Sequence, residues 1–248
     1  MTEVTPVRDV PVPLPVPMLL SFVAGYVDSY TYLALFGLFA AQITGSFVIA
    51  GAQIVTHDYG ITGKLLAIVG FLVAAAVTAA LIALVRERGI PGLPWMLALE
   101  AVLLAVFVAM ILIGPPIMGA NDWHGIIAGV FAAMAMGAQS VLVRLLMRGI
   151  PQTNVMTGNM AQLGIETTEL ILAWRRCARE PHNRDIVQEF VAARKRLYLV
   201  LSIAVGFLVG AATGAVAFAT TNVRGAPVAV AIVAALALWA LYRERRVG

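Results

Sequence analysis

One acid stands out against an apolar background. Asp28 lies about twelve residues into the first hydrophobic run, flanked by Ser29, Tyr30 and Thr31. An acid at the centre of a membrane helix costs about 2.5–3.5 kcal/mol on insertion scales, so it calls for a proton, a cation or a polar partner. A tripeptide that occurs twice is the second feature, as Thr44-Gly45-Ser46 and as Thr157-Gly158-Asn159. Gly permits backbone angles that other residues resist, and Thr, Ser and Asn side chains can satisfy the amides and carbonyls that a helix break frees. A helix starting at such a break aims its positive end and unpaired amides into the protein. Asp28, Thr44, Gly45, Ser46, Gln139, Asn154, Thr157, Gly158, Asn159 and Glu166 therefore form the candidate solute- or ion-binding set. Plainer roles stand beside this one: Asp28 as a tie between helices, and the breaks as kinks that shape packing.

Other polar groups read as structural. Glu100 is placed near the cytosolic end of its segment, within reach of Arg86 or Arg88, and Glu166 and Glu169 share a helix face where Arg175 or Arg176 could pair with them. His57 and His124 fall at segment ends. Enzyme chemistry finds no foothold, because HExxH, GxSxG and Walker-type motifs are absent. Three scattered His and one Cys give no metal-ligand spacing, so neither metal nor cofactor is expected.

The elements that must hold these residues are membrane segments. The chain is 61% hydrophobic and 12% charged, against about 25% charged in soluble domains. Eight apolar segments can be marked, at 17–36, 39–56, 64–85, 95–113, 124–147, 154–173, 197–219 and 226–242, and the second and sixth contain the breaks. They fall into two copies of one unit, 17–113 and 124–243. Residues 69–79 (VGFLVAAAVTA) and 205–215 (VGFLVGAATGA) agree at eight of eleven positions. Upstream, Gly25-Tyr26-Val27-Asp28 matches Gly137-Ala138-Gln139-Ser140, and Gln53 matches Glu166.

Charge sets the number of crossings. If the two broken segments enter and return on one side, all of the 17 Lys and Arg residues except Lys64 and Arg224 fall on the side of the termini. If all eight segments cross, Arg86, Arg88, Arg144, Arg148 and Arg224 lie opposite the rest. The positive-inside rule favours the first arrangement. The expectation is thus an all-α polytopic membrane protein of six transmembrane helices and two broken, re-entrant segments. Three crossings per copy make the copies inverted repeats, the pattern that in transporters points to a midplane site.

The rest of the chain frames this unit. Residues 1–16 read as a cytosolic Pro-rich tail, and the basic insertion 174–196 as either an amphipathic helix on the inner leaflet or a solvated linker. Gly206, Gly210 and Gly214 recur every four residues, a stripe read as close helix packing. The basic residues flank apolar spans, which argues for membrane topology rather than a nucleic-acid partner.

The stretches GYVDSYTYLALFGLFAAQITGSFVIAG and GAQSVLVRLLMRGIPQTNVMTGNMAQLG resemble the YoaK family of bacterial membrane proteins, a domain of unknown function, and the resemblance extends over about residues 17–243. Ser46 and Ser140 stand where that family usually has Asn. The resemblance implies a multi-pass protein of the cytoplasmic (inner) membrane with about six spans. Both termini are expected in the cytosol. The expected function is a small-solute transporter or channel, with a membrane scaffold or assembly partner as the competing class. Expected partners are the lipid bilayer, an unidentified small solute or ion, and a second copy of the chain in a homo-oligomer.

Overall fold

The computed structural model describes residues 13–56 and 60–247; most of the Pro-rich tail and His57 lie outside them. Eight α-helices follow in order: α1 (Pro15–Ala34), α2 (Ile43–Thr56), α3 (Ile61–Glu87), α4 (Gly92–Ile113), α5 (Trp123–Leu146), α6 (Met156–Arg179), α7 (Arg184–Thr221) and α8 (Pro227–Val247), with a 3-10 turn at Asn222–Gly225. No strand occurs among the described residues. Five helices, α3, α4, α5, α7 and α8, are long and apolar enough to cross a membrane. Their outward faces are apolar too, with Leu72, Val73 and Val77 of α3 and Leu208, Val209 and Val216 of α7 exposed. The chain is an all-α polytopic membrane protein. The 20 residues of α1 give about 30 Å, the thickness of a bilayer core. That helix carries polar residues along its length, and Ser21, Asp28 and Thr31 are buried.

Backbone contacts fix the directions of the helices. Gly206, Gly210 and Gly214 of α7 meet the carbonyls of Met18, Phe22 and Tyr26 in turn, so α1 and α7 run parallel. A Cβ at any of the three would overlap a backbone oxygen, which is why the stripe is glycine. The same join occurs between α3 and α5. Gly25 sits against the Phe207 carbonyl and its match Gly137 against the Phe71 carbonyl, while Gly206 faces Met18 and its match Gly70 faces Val130. The first helix of each copy therefore packs on the third helix of the other. α1 runs antiparallel to α5, since Leu35 and Leu38 lie at Gly129 whereas Leu20 meets Gln139. α4 also runs antiparallel to α5, with Gly92 on Leu146 at one end and His124 Nε2 2.8 Å from Met110 O at the other.

All eight predicted segments are helices, with three differences in detail. The Thr-Gly-Ser/Asn tripeptides do not interrupt helices but lie in the first turns of α2 and α6; the breaks are the preceding loops, 35–42 and 147–155. At 14 residues, α2 is about 21 Å long and too short to cross a core of about 30 Å. The basic insertion is neither a separate helix on the leaflet nor a linker. It extends α6 to Arg179 and starts α7 at Arg184, so that α7 runs for 38 residues, about 57 Å. Ala173 and Ala193, both buried, mark the close approach of this antiparallel hairpin, because small side chains let helix axes come near. Finally, Glu100 lies more than two turns inside α4 and is completely buried, so it pairs with neither Arg86 nor Arg88.

Candidate functional site: two pinned breaks on a common helix

Each break is closed by its own tripeptide in the same way. Ser46 Oγ donates to Phe39 O (3.1 Å), and Asn159 Nδ2 donates to Gln152 O (2.6 Å), seven residues back in both cases. Ser46 and Asn159 are buried, whereas Thr44, Thr157 and Gly158 are exposed and Gly45 is half-buried. Only the third residue of each motif turns inward, and its role there is to hold the loop. The turn leaving the preceding helix also repeats, with Gly37 at φ 82° and its match Gly149 at φ 76°, angles that glycine adopts without the Cβ penalty.

The two loops are then pinned differently. Asp28, 2% exposed, accepts from the amides of Ala41 (2.6 Å) and Gln42 (3.1 Å). An ionised carboxylate is an acceptor only, and two amides directed at it compensate its charge. At the matching position, Ser140 makes only long contacts, to Asn154 Oδ1 at 3.3 Å and Gln152 Oε1 at 3.5 Å. The residue before it does the holding: Gln139 Nε2 donates to Leu20 O (2.9 Å) and Thr153 Oγ1 (2.8 Å). Ser21 Oγ lies 2.9 Å from Thr153 O and 2.8 Å from Ile203 O, and Asn154 Nδ2 donates to Met136 O. Two amides, Gln139 and Asn154, and two hydroxyls, Ser21 and Thr153, thus replace one carboxylate.

α1 carries both ties. Ser21 and Asp28 are seven residues apart, about 11 Å along the helix. Between these levels Val23, Ala24 and Val27 of α1 and Ala132, Ala133 and Met136 of α5 are all buried. The candidate residues are therefore not brought into one cluster. Asp28 and Ser46 belong to the first break, while Gln139, Asn154, Asn159 and Glu166 belong to the second, and an apolar septum separates them.

A recess adjoins each break. The first is about 10 Å³, room for roughly one water, and is lined by Leu38, Gly60, Gly63 and Lys64 among others. The second is an open cleft of about 350 Å³ lined by Ile150, Asn159, Gln162, Glu166, Arg196 and Val200, with neighbours. Glu166 is fixed there by Arg196 Nε (2.9 Å) and Gln162 Nε2 (2.7 Å), and Arg196 also pairs with Glu169 (2.5 Å). The expected partners Arg175 and Arg176 are not used; Arg176 bridges to Glu189 at 3.0 Å instead. Ser21, Thr153, Gln162 and Arg196 join the site although no motif or spacing in the sequence marks them. Among the described residues no group of three His, Cys, Asp or Glu side chains is placed to hold a metal.

Helices of membrane length around two pinned, non-helical breaks define a polytopic membrane protein with polar residues built into its interior. A family model described as "Protein of unknown function (DUF1275)" matches residues 16–241. The chain belongs to that family. No curated protein and no solved structure matches it.

Proposed function

We propose that the protein carries a small polar solute or ion across the bacterial cytoplasmic membrane by opening two matched recesses in alternation. Within this reading the motif resemblance to the YoaK family is retained. α1, α3, α4, α5, the second half of α7, and α8 are the six crossings, and both termini face the cytosol, where the positive-inside rule puts most of the Lys and Arg residues. α1 and α5 begin matching units and run antiparallel, as inverted repeats require.

The observation that carries the reading is the inequality of the recesses. Leu38, Gly60 and Lys64 line one, and their matches Ile150, Arg196 and Val200 line the other, yet the volumes are about 10 Å³ and about 350 Å³. A carrier caught open to the cytosol has this form, with the apolar septum and the first break closing the outer side. Thermal stabilisation of the purified protein, screened across metabolite classes, followed by uptake of any stabilising solute into proteoliposomes, tests it. A solute that both stabilises and is taken up supports transport; no stabilisation and no flux across the classes refutes it.

A second reading, a membrane scaffold, has its own support. α6 packs chiefly on α7, and Trp174, Ile171 and Leu172 of α6 are exposed. The α6–α7 hairpin would then be the docking arm, and its removal would abolish binding of a partner without affecting flux.

A further inference from the structure

Glu100 is the least expected side chain in the molecule. Its relative exposure is 0%, and neither carboxyl oxygen has a hydrogen-bond partner. It forms no salt bridge among the described residues. α5, α8, α3 and the 3-10 turn pack on α4, and none brings a counter-charge to Glu100. α5 presents only Arg144 in its last turn and His124 in its first, and His124 is held at Met110 O. α8 carries Tyr242, Arg243, Glu244, Arg245 and Arg246 in its last turns. α3 carries Lys64, Arg86 and Glu87 near its ends, and the 3-10 turn carries Arg224. No charge therefore faces the middle of α4, and an ionised carboxylate there would stand uncompensated, at a cost that proteins avoid by neutralising the group.

A second orphan lies close by. Gln139 is also 0% exposed, and its Oε1 has no partner. Its orientation is determined: Nε2 meets Leu20 O, which can only accept, so the amide cannot be turned over. Helix register brings the two orphans to one level. With Gly92 at Leu146 and Met110 at His124, Glu100 stands beside about residue 136 of α5, one turn from Gln139. One group lacks a donor. The other becomes a donor only when it holds a proton.

We propose that Glu100 is a proton-carrying site in the helix core, whose protonated carboxyl donates to Gln139 Oε1 directly or through one water. Gln139 also pins the second break through Thr153, so loss of the Glu100 proton removes a bond from the residue that holds that break in shape. This inference does not rest on the transport reading, since a proton site is detectable without any solute.

Infrared spectra of the full-length protein in lipid, recorded over a pH series, test it. Wild type minus Glu100→Gln should contain the carbonyl stretch of a protonated carboxylic acid at neutral pH, lost as pH is raised. Asp28→Asn should leave that band in place, because the Asp28 carboxylate is held as an acceptor. A folded Gln139→Leu should shift the band by removing its acceptor; if that variant does not fold, Gln139→Asn shortens the reach and serves the same purpose. Mass spectrometry after treatment with dicyclohexylcarbodiimide, which adds to protonated carboxyls, should place the adduct on Glu100 and not on Asp28. Identical wild-type and Glu100→Gln spectra in that region, from acid to alkaline pH, overturn the proton site. An adduct confined to Asp28 does the same. A band unmoved in both Gln139 variants overturns the link to the break.

Discussion

Removing the Asp28 carboxylate should cost far more than removing its counterpart in the second copy. Asp28 receives the amides of Ala41 at 2.6 Å and Gln42 at 3.1 Å and is 2% exposed, so solvent replaces neither bond when the acceptor goes. A buried donor left unpaired costs about 1–3 kcal/mol, and bonds to a charged acceptor lie at the strong end of the range. Asp28→Ala orphans both amides, a loss of about 4 kcal/mol on that basis. Asp28→Asn keeps one carbonyl oxygen but turns an NH2 towards the other amide, for about 2–3 kcal/mol. Ser140→Ala gives up only contacts of 3.3 and 3.5 Å, ~1 kcal/mol or less. Against a total of about 5–15 kcal/mol for a typical domain, the difference is measurable by equilibrium unfolding in mixed micelles. The reasoning fails if Asp28→Asn unfolds within about 0.5 kcal/mol of wild type, the scatter of a plain surface change, or if Ser140→Ala costs as much as Asp28→Ala.

Three further outcomes are expected. Gly210→Ala should lower yield and thermal stability because its Cβ would meet the Phe22 carbonyl, whereas Gly158→Ala should fold normally, its nearest neighbour being Val155 Cγ1 at 3.9 Å; comparable losses in both would remove the packing account. Cys177 should react with a membrane-impermeant thiol reagent only after cells are opened, while Thr56→Cys and Asn121→Cys in a Cys177→Ser background should react from outside; labelling of position 56 from the cytosol alone would replace the six-crossing topology with eight. Arg196→Gln should cost about 1–3 kcal/mol, because Glu166 is only 7% exposed and would keep Gln162 as its remaining partner, while the exposed pair with Glu169 adds little; unfolding within about 0.5 kcal/mol of wild type would show that solvent replaces the guanidinium.

Much of the architecture is legible in the sequence because hydropathy and repeated blocks record it directly. The eight segments, the matched Gly25 and Gly137, and the glycine stripe all have structural counterparts. What the pattern conceals is where helices stop. Ile186, Val187, Phe190 and Val191 lie among the charges of the basic insertion, which read as a leaflet helix or a linker; all four are half-buried in a helix continuous with the span. Hydropathy starts the fourth segment at 95, which sets Glu100 close to Arg86 and Arg88; the helix starts at Gly92, and the extra turn carries Glu100 inward. Asp28 declares itself by the cost of an acid among apolar residues. Its partners do not, since backbone amides thirteen and fourteen residues on leave no side-chain signature. Arg196 was hidden in a basic run, and Ser21 and Thr153 are single hydroxyls with no spacing to mark them.

Alternating access of the two recesses is tested most directly by thiol accessibility from each side of the membrane. Gln162 lines the larger cleft and Phe36 the smaller recess, which the proposed orientation puts on the cytosolic and outer sides; Gln162→Cys and Phe36→Cys are each introduced into a Cys177→Ser background and assayed in right-side-out and inside-out vesicles. Gln162→Cys should react quickly from the cytosolic side and Phe36→Cys slowly from outside, and a solute that stabilises the protein should slow the first while speeding the second. Rates that no stabilising solute changes, or that rise and fall together, would contradict the account.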